Sequence, residues 1–163
     1  KEGNSPLLIT HNSSLKTRML LSKSVGYAIR AVLYISAQEG MERKVGIKEL
    51  AEALEVPQPF LGKIMQELVR REVVSSTKGP NGGFYPNEQT HATSMLKIVD
   101  IIDGLGMFQK CALGMSKCSG INPCPLHRDL IDWRDSLQQR LASRTIAELL
   151  PDFQEGKTKI STD

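Results

Sequence analysis

A chain of 163 residues, 40% of them hydrophobic, is long enough to bury a core, and it predicts one domain with room for an added dimerisation element. No apolar run approaches the roughly 20 residues that span a bilayer, so we expect no membrane contact. Residues 1–18 supply +2 of the net charge of +3, which leaves a nearly neutral remainder and argues against a protein that coats nucleic acid by charge alone.

Residues 1–18 are predicted to be a flexible extension, a cloning remnant or an upstream start, ahead of a folded part that begins near Met19. Their apolar patch, residues 7–9, is too short for a signal peptide and lacks a small-residue cleavage site. We therefore expect a cytoplasmic protein whose thiols stay reduced.

Three amphipathic helices are predicted next. Ser22 can cap the first, over about 23–38, where apolar residues recur in the i, i+3, i+4, i+7 pattern of one buried face. The second covers 47–54 and the third 58–71, with a break at Glu55-Val56-Pro57. Two helices joined by a tight turn are typical of a helix-turn-helix.

A β-hairpin is predicted directly after these helices. Residues 73–77 are rich in β-branched side chains, residues 79–83 (Gly-Pro-Asn-Gly-Gly) form a turn signal, and Phe84-Tyr85 opens a return strand. The predicted fold class is therefore mainly α with a small β-hairpin wing, with a winged helix-turn-helix domain over 19–90.

Three further segments are predicted to complete the fold. They are a connecting segment (91–110, with a helix over 93–102), a cysteine loop (111–127), and a long helix followed by a short one (125–150). The long helix repeats apolar residues close to a heptad seam, formed by Leu126, Leu130, Trp133, Leu137 and Leu141. Such a seam packs either on its own domain or on the same helix of a second copy of the chain, and we favour the second arrangement, a homodimer. The other faces are expected to carry Arg128, Asp129, Asp132, Arg134 and Asp135. The short helix, near 145–150, is expected to stop at Pro151, and residues 151–163 to be disordered.

All three cysteines fall in the loop, with the spacing C-x6-C-x5-C-x2-H formed by Cys111, Cys118, Cys124 and His127. Three thiolates and one imidazole are a complete ligand set for an iron–sulfur cluster or for tetrahedral zinc. An odd number of cysteines argues against a disulfide framework. The gaps of six and five residues exceed those of usual zinc knuckles and favour the larger cluster, with zinc as the less favoured alternative.

The third helix and the wing carry the candidate DNA contacts. Gln58 is placed to read adenine in the major groove, whereas Lys63 and Arg70 would neutralise phosphates. Lys78 and Asn81 would enter a minor groove at the wing tip, where glycines let backbone amides approach phosphates. The full predicted set is Ser22, Ser24, Tyr27, Gln58, Pro59, Phe60, Lys63, Arg70, Lys78, Asn81, Gly82 and Gly83. The alternative for each is a solvated face or a tight turn, and strong binding would need two copies on a palindromic double-stranded operator.

An enzyme is not expected, and neither is a small-molecule substrate. The sequence has no C-x-x-C redox pair and no phosphate-binding glycine loop after a strand. A further alternative is a winged helix that serves as a protein-interaction module, with a structural zinc or a bare-thiol loop and no cluster sensing.

Residues 19–151 resemble the Rrf-type family of winged-helix transcription regulators. The stretch LSKSVGYAIRA (21–31) is similar to the opening helix of the family, and VVSSTKGPNGGF (73–84) to its wing. Within the family the likeness is strongest to the iron–sulfur regulators of the IscR type, with NsrR and CymR types as relatives. The cysteines and His127 fall where IscR-type members hold their cluster, although the first gap is one residue longer.

The resemblance implies a homodimer that crosses its C-terminal helices and a DNA affinity set by occupancy or oxidation of a cluster. It favours 2Fe–2S and leaves 4Fe–4S open. Gly26 stands where some relatives have a carboxylate ligand, and Arg30 where one has a histidine, which leaves the fourth-ligand role to His127. Gly62 replaces a glutamate that helps IscR-type members choose their operator, so the target sequence does not transfer.

Overall fold

The computed structural model describes residues 21–38, 43–111 and 113–159. Within these ranges the elements follow in the order α1 (Lys23–Ser36), α2 (Ile47–Leu54), α3 (Gln58–Arg70), β1 (Ser75–Thr77), β2 (Gly83–Tyr85), α4 (Met95–Asp103), a 3₁₀ turn (Leu105–Phe108), α5 (His127–Ser143) and α6 (Ile146–Gln154). This mainly helical fold with one antiparallel hairpin confirms the predicted fold class. The predicted extension 1–18 lies outside the described residues.

Helix α1 is the centre of the fold, since it packs against α2, α3, α4 and α6. Ser22 caps it by accepting a hydrogen bond from the backbone N–H of Val25. The buried face predicted from the sequence is present, with Ala28, Val32 and Ile35 fully enclosed in the main core. Burial of this face fixes the positions of the surrounding helices relative to one another.

Helices α2 and α3 form the predicted helix-turn-helix. Glu55 ends α2 in the left-handed conformation (φ 55°), and Pro57 precedes the first residue of α3. The inner residues Leu61, Met65 and Leu68 of α3 are buried, as the pattern predicted. The opposite face of α3 therefore points away from the core.

The wing is shorter than predicted and is anchored at its base. The predicted start of the first strand at residue 73 is wrong, because Val73 and Val74 are buried in the core and the Val73 N–H donates to the Leu68 carbonyl at 2.9 Å, at the end of α3. Phe84 forms an isolated antiparallel bridge with Val45, with hydrogen bonds of 2.8 and 2.9 Å. This bridge ties the hairpin to the segment before α2.

The apolar seam of α5 divides into two parts. Leu137 and Leu141 pack within the chain, against a small cluster around Val25, Val99 and Phe108. Trp133, by contrast, is 50% exposed, Leu126 is also exposed, and Leu130 is half-buried. The C-terminal half of the seam is thus used within the chain, and the N-terminal half lies open.

Helix α6 passes through the residue at which it was expected to stop. It begins with a capping box between Thr145 and Glu148 and continues past Pro151 to Gln154, so the predicted stop and a disordered tail from residue 151 are wrong. Leu149 and Phe153, one turn apart, pack on the main core, which offsets the hydrogen bond that proline cannot make. No helix in the described ranges has the length and apolarity needed to cross a membrane.

Candidate metal centre and nucleic-acid interface

The cysteine loop brings the predicted ligands together. The sulfurs of Cys111, Cys118 and Cys124 all lie within 4.8 Å of one another. Cys111 and Cys124 have sulfurs 3.6 Å apart, and the Cys118 sulfur lies 3.2 Å from Nδ1 of His127, the first residue of α5. The donors are therefore arranged as two close pairs.

Local structure shifts the pKa values of Cys111 and Cys124 in opposite directions. A turn closed by the Gly114 N–H on the Cys111 carbonyl (2.9 Å) shapes the loop around the first sulfur. Hydrogen bonds from the backbone N–H groups of Met115 and Leu113 lower the pKa of Cys111 to about 7. Cys124 is buried, and that burial raises its pKa above the ordinary value. Cys111 is thus the thiol of its pair that ionises first, and thiols must ionise before they bind a metal.

The donor distances fit tetrahedral metal atoms. A metal–sulfur bond of about 2.3 Å with tetrahedral angles separates two sulfurs on one metal by about 3.8 Å. The separation of Cys111 and Cys124 is close to this value, so these two residues fit as ligands of a single metal atom. Zinc and the irons of a 2Fe–2S cluster both have this geometry, and three thiolates with an imidazole suit either.

Arg134 contacts the loop, a role that the sequence reasoning missed by placing it on an outer face of α5. Its side chain is half-buried, and Nη1 donates to the carbonyl of Lys110 at 2.6 Å, one residue before Cys111. The spacing held a signal, because Arg134 follows His127 by seven residues and so lies on the same helix face. The side chains of Lys110 and Lys117 are exposed next to two ligands.

The outer face of α3 and the wing border an open groove of about 520 Å³. The predicted contacts Gln58, Pro59 and Lys63 line it from α3, and Phe84 lines it from the wing. Gln58, Pro59 and Lys63 are exposed, so their side chains are accessible to a duplex. The structure therefore brings together the residues predicted at the start of the recognition helix.

An aromatic pair connects α1 to the start of α3. The ring of Phe60 packs edge-on against the ring of Tyr27, with centroids 5.9 Å apart, and the Arg30 guanidinium lies 4.9 Å from the Tyr27 ring centroid. Phe60 remains 41% exposed. Two predicted DNA contacts from different helices thus share one surface.

The cations near this surface differ in their partners. Arg70 and Arg71 both form ion pairs with Glu67, which must be broken or shared for either to reach a phosphate. Lys63 and Lys78 are exposed and have no ion pair within the described part of the chain. These two lysines are the better placed for phosphate contact.

The glycines of the wing have structural roles. The Gly82 N–H donates to the Gly79 carbonyl at 2.9 Å, so this amide is engaged within the turn. A Cβ at Gly82 would collide with the Thr77 carbonyl oxygen, and one at Gly83 would lie 2.7 Å from the Val45 carbonyl oxygen. Asn81 and Lys78 are exposed in the turn region.

The serines at the start of α1 are not equally free. The hydroxyl of Ser22 caps α1 and donates to Asp103 at 2.9 Å, so its hydrogen-bonding capacity is already used within the chain. Ser24, in the first turn, is half-buried. The side chain of Ser24, unlike that of Ser22, takes no part in the cap of α1.

This fold, with an exposed third helix beside a hairpin, defines a winged-helix protein of the transcription-regulator class. The model of the Rrf2 family, which is described as an iron-dependent transcriptional regulator, matches residues 21–152. The chain therefore belongs to the Rrf2 family, as the resemblance predicted.

Similar proteins agree with this assignment. A protein of Aquifex aeolicus named as an HTH-type transcriptional regulator is 32% identical over 134 residues, which cover 81% of this chain and 92% of that protein. The regulator IscR of Sodalis glossinidius is 25% identical over 135 residues, or 81% of this chain and 79% of that one. These relatives are transcription regulators and not enzymes, in line with the expectation for this chain.

Solved structures share the fold. T. potens IscR matches with a TM-score of 0.66 and 20% identity over 88% of this chain and 94% of that one. CymR, the global cysteine regulator of B. subtilis, matches with a TM-score of 0.64 and 20% identity over 80% of this chain and 95% of that one. The winged-helix architecture is therefore that of known Rrf2-type regulators.

Proposed function

We propose that this transcription regulator binds its operator with an affinity set by an iron–sulfur cluster, held by Cys111, Cys118, Cys124 and His127. The observation that carries the proposal is the group of three sulfurs within 4.8 Å, with a histidine nitrogen 3.2 Å from one of them. Such a cluster, 2Fe–2S in preference to 4Fe–4S, would supply sensitivity to redox poise, nitric oxide or iron–sulfur status. We expect the protein to act in the cytoplasm, where its thiols stay reduced.

The preference for 2Fe–2S comes from the family resemblance, and the two close pairs suit the ligand count of such a cluster. In such a cluster each iron takes two protein ligands, and the chain offers Cys111 with Cys124 and Cys118 with His127. To bind a second iron, Cys118 would have to move away from the other two sulfurs, since all three now lie within 4.8 Å of one another. In a 4Fe–4S cluster each iron takes one protein ligand, so the 3.6 Å pair of sulfurs would have to separate as well. The imidazole would also raise the reduction potential relative to four thiolates.

A chain of packed elements connects the ligands to the DNA-binding surface. His127 begins α5, whose residues Leu137 and Leu141 pack against a cluster formed by Val25 of α1, Val99 of α4 and Phe108. Helix α1 in turn packs against α3, and Tyr27 meets Phe60 at that contact. A change in the order of the loop can therefore alter the position of α5 and, through α1, the presentation of α3.

We further propose that the protein works as a homodimer on a palindromic operator. The exposed apolar residues Leu126, at the cap of α5, and Trp133, two turns further on the same face, are the surface for the second copy. Two recognition helices would double the number of phosphate contacts, which tight binding needs because the chain after residue 18 is nearly neutral.

Operator affinity of the loaded protein and of the Cys118→Ala variant tests this function. Genomic fragments selected by the purified, anaerobic protein would serve as the probe. We expect at least a tenfold difference in affinity, since allosteric coupling is typically 5- to 150-fold. Equal affinity of the two proteins for every selected fragment would contradict the control of DNA binding by the loop.

A structural zinc is the second candidate, because three sulfurs within 4.8 Å also suit a single ion. In that case the protein would bind DNA or a protein partner without sensing. One zinc per chain, together with unchanged binding after mild oxidation, would favour zinc over the cluster.

A further inference from the structure

We propose that Arg134 is a positioning residue for the metal site, which fixes the peptide before Cys111 to α5. This inference rests on the proposed metal centre and adds a residue outside the ligand set. It follows from one hydrogen bond, one buried donor and the helical spacing between Arg134 and His127.

Lys110, the residue before Cys111, is held from both sides. The Lys110 N–H donates to the Gly106 carbonyl at 3.2 Å, which ties it to the 3₁₀ turn. The Lys110 carbonyl accepts from Nη1 of Arg134 at 2.6 Å, which ties it to α5. Because Cys111 follows directly, these two bonds set where its Cα, and hence its sulfur, can lie.

The same face of α5 holds the loop at a second point. Arg134 lies two helical turns after His127, so the two side chains project from one face about 10 Å apart along the axis. His127 meets Cys118, and Arg134 meets the residue before Cys111. One rigid helix therefore fixes the spacing between the two ligand pairs, because each pair has one member held by α5.

The burial of Arg134 argues against a merely solvated surface arginine. Its Nε atom is buried and has no hydrogen-bond partner in the described ranges. A buried donor without a partner costs free energy, so stability alone is a poor reason to keep an arginine here. The unpartnered donor belongs to the same side chain whose Nη1 holds the Lys110 carbonyl, so that contact is the structural reason for an arginine at this position.

Cobalt binding by the apo protein tests the inference. Under anaerobic conditions, Co²⁺ is titrated into wild-type, Arg134→Met and Arg140→Met proteins, and the thiolate-to-cobalt absorption is followed. Arg140 is an exposed arginine of α5 and is the matched control. We expect Arg134→Met to weaken Co²⁺ binding by roughly 10- to 100-fold, as is typical when a residue that orients a ligand is removed, and Arg140→Met to leave it unchanged. Arg134→Lys, which keeps a cationic donor, should recover part of the affinity.

Thiol reactivity provides the second readout. Alkylation of the apo proteins by iodoacetamide, resolved by residue, should change in rate at Cys111 more than at Cys118 when Arg134 is replaced by Met. If Arg134→Met does not fold, as judged by circular dichroism, the same expectations apply to Arg134→Gln.

The outcomes separate the inference from the proposed function. A wild-type protein that binds no Co²⁺ and no iron would overturn the metal site itself. A wild-type protein that binds Co²⁺ and an Arg134→Met protein that binds it equally well, with unchanged alkylation at Cys111, would overturn the role of Arg134 alone.

Discussion

The Cys118 sulfur and Nδ1 of His127 lie 3.2 Å apart, although nine positions separate these residues in the chain. The contact joins the middle of the cysteine loop to the first residue of α5. The contact agrees with the expectation that His127 is the fourth ligand, and that role stays a prediction.

Replacement of His127 by Ala should lower the bound iron and sulfide per chain, because one metal atom loses a protein ligand. His127→Cys should restore binding and lower the reduction potential, since thiolate donates more negative charge than imidazole. Metal analysis and a redox titration measure the two effects. His91→Ala, outside the loop, is the control, and a His127→Ala protein with full iron and sulfide content would exclude His127 as a ligand.

Lys78→Gln and Lys63→Gln should each weaken binding to all duplexes to a similar degree, because both lysines are exposed and free to meet phosphates. The slope of log K against log salt should fall in magnitude by about 0.9 for each phosphate that the variant no longer neutralises. Lys97→Gln, on α4 and away from the groove, should not change the slope. A slope unaffected by both substitutions would place the DNA elsewhere.

The helices of the DNA-binding half could be predicted from the sequence because each buries one regular face. The bounds of α2 matched, and those of α3 differed by one residue. The first strand was predicted too long, because the β-branched pair Val73-Val74 is buried in the core before the strand begins. A β-branched composition favours residues that pack away from water, but it does not show whether they belong to the strand or to the buried segment before it.

Interactions made by the loop and by the C-terminus could not be predicted in this way. The hydrogen bond from Arg134 to Lys110 joins residues 24 positions apart and follows no periodic pattern. Helix α6 continues through Pro151 because Phe153 packs on a distant core, and tertiary packing of this kind overrides a local stop signal. The cysteines and His127 were found because their spacing is itself a chemical signal.

Gly62 gives a prediction in which stability and DNA binding change in opposite directions. It lies inside α3, and a Cβ there would meet nothing within 4 Å, so Gly62→Ala should stabilise the fold by roughly 0.5–1 kcal/mol. The added methyl group would stand on the face that lines the groove, and we expect weaker operator binding. Denaturant unfolding and DNA titration measure the two quantities.

Gly26→Ala is the matched control, since its Cβ would also meet nothing within 4 Å. It should raise stability by a similar amount without weakening operator binding. Unchanged or tighter operator binding by Gly62→Ala would show that this part of α3 does not approach the duplex.

Trp133→Ser should weaken the proposed homodimer. Half of this side chain is exposed in the absence of a second copy, and buried tryptophans often contribute about 2 kcal/mol or more to an interface. The dimer Kd should then rise roughly 30-fold, which sedimentation equilibrium can measure. Gln139→Ser, an exposed change on the same helix, should leave Kd as it is, and a Trp133→Ser protein that dimerises normally would move the interface elsewhere.

The visible absorption spectrum of anaerobically purified protein, with iron, sulfide and zinc measured on the same sample, tests the central claim most directly. We predict a brown protein with equal iron and sulfide, bleached by Cys111→Ala and by His127→Ala. A colourless protein with one zinc per chain would contradict the cluster and leave a DNA-binding regulator with a structural metal.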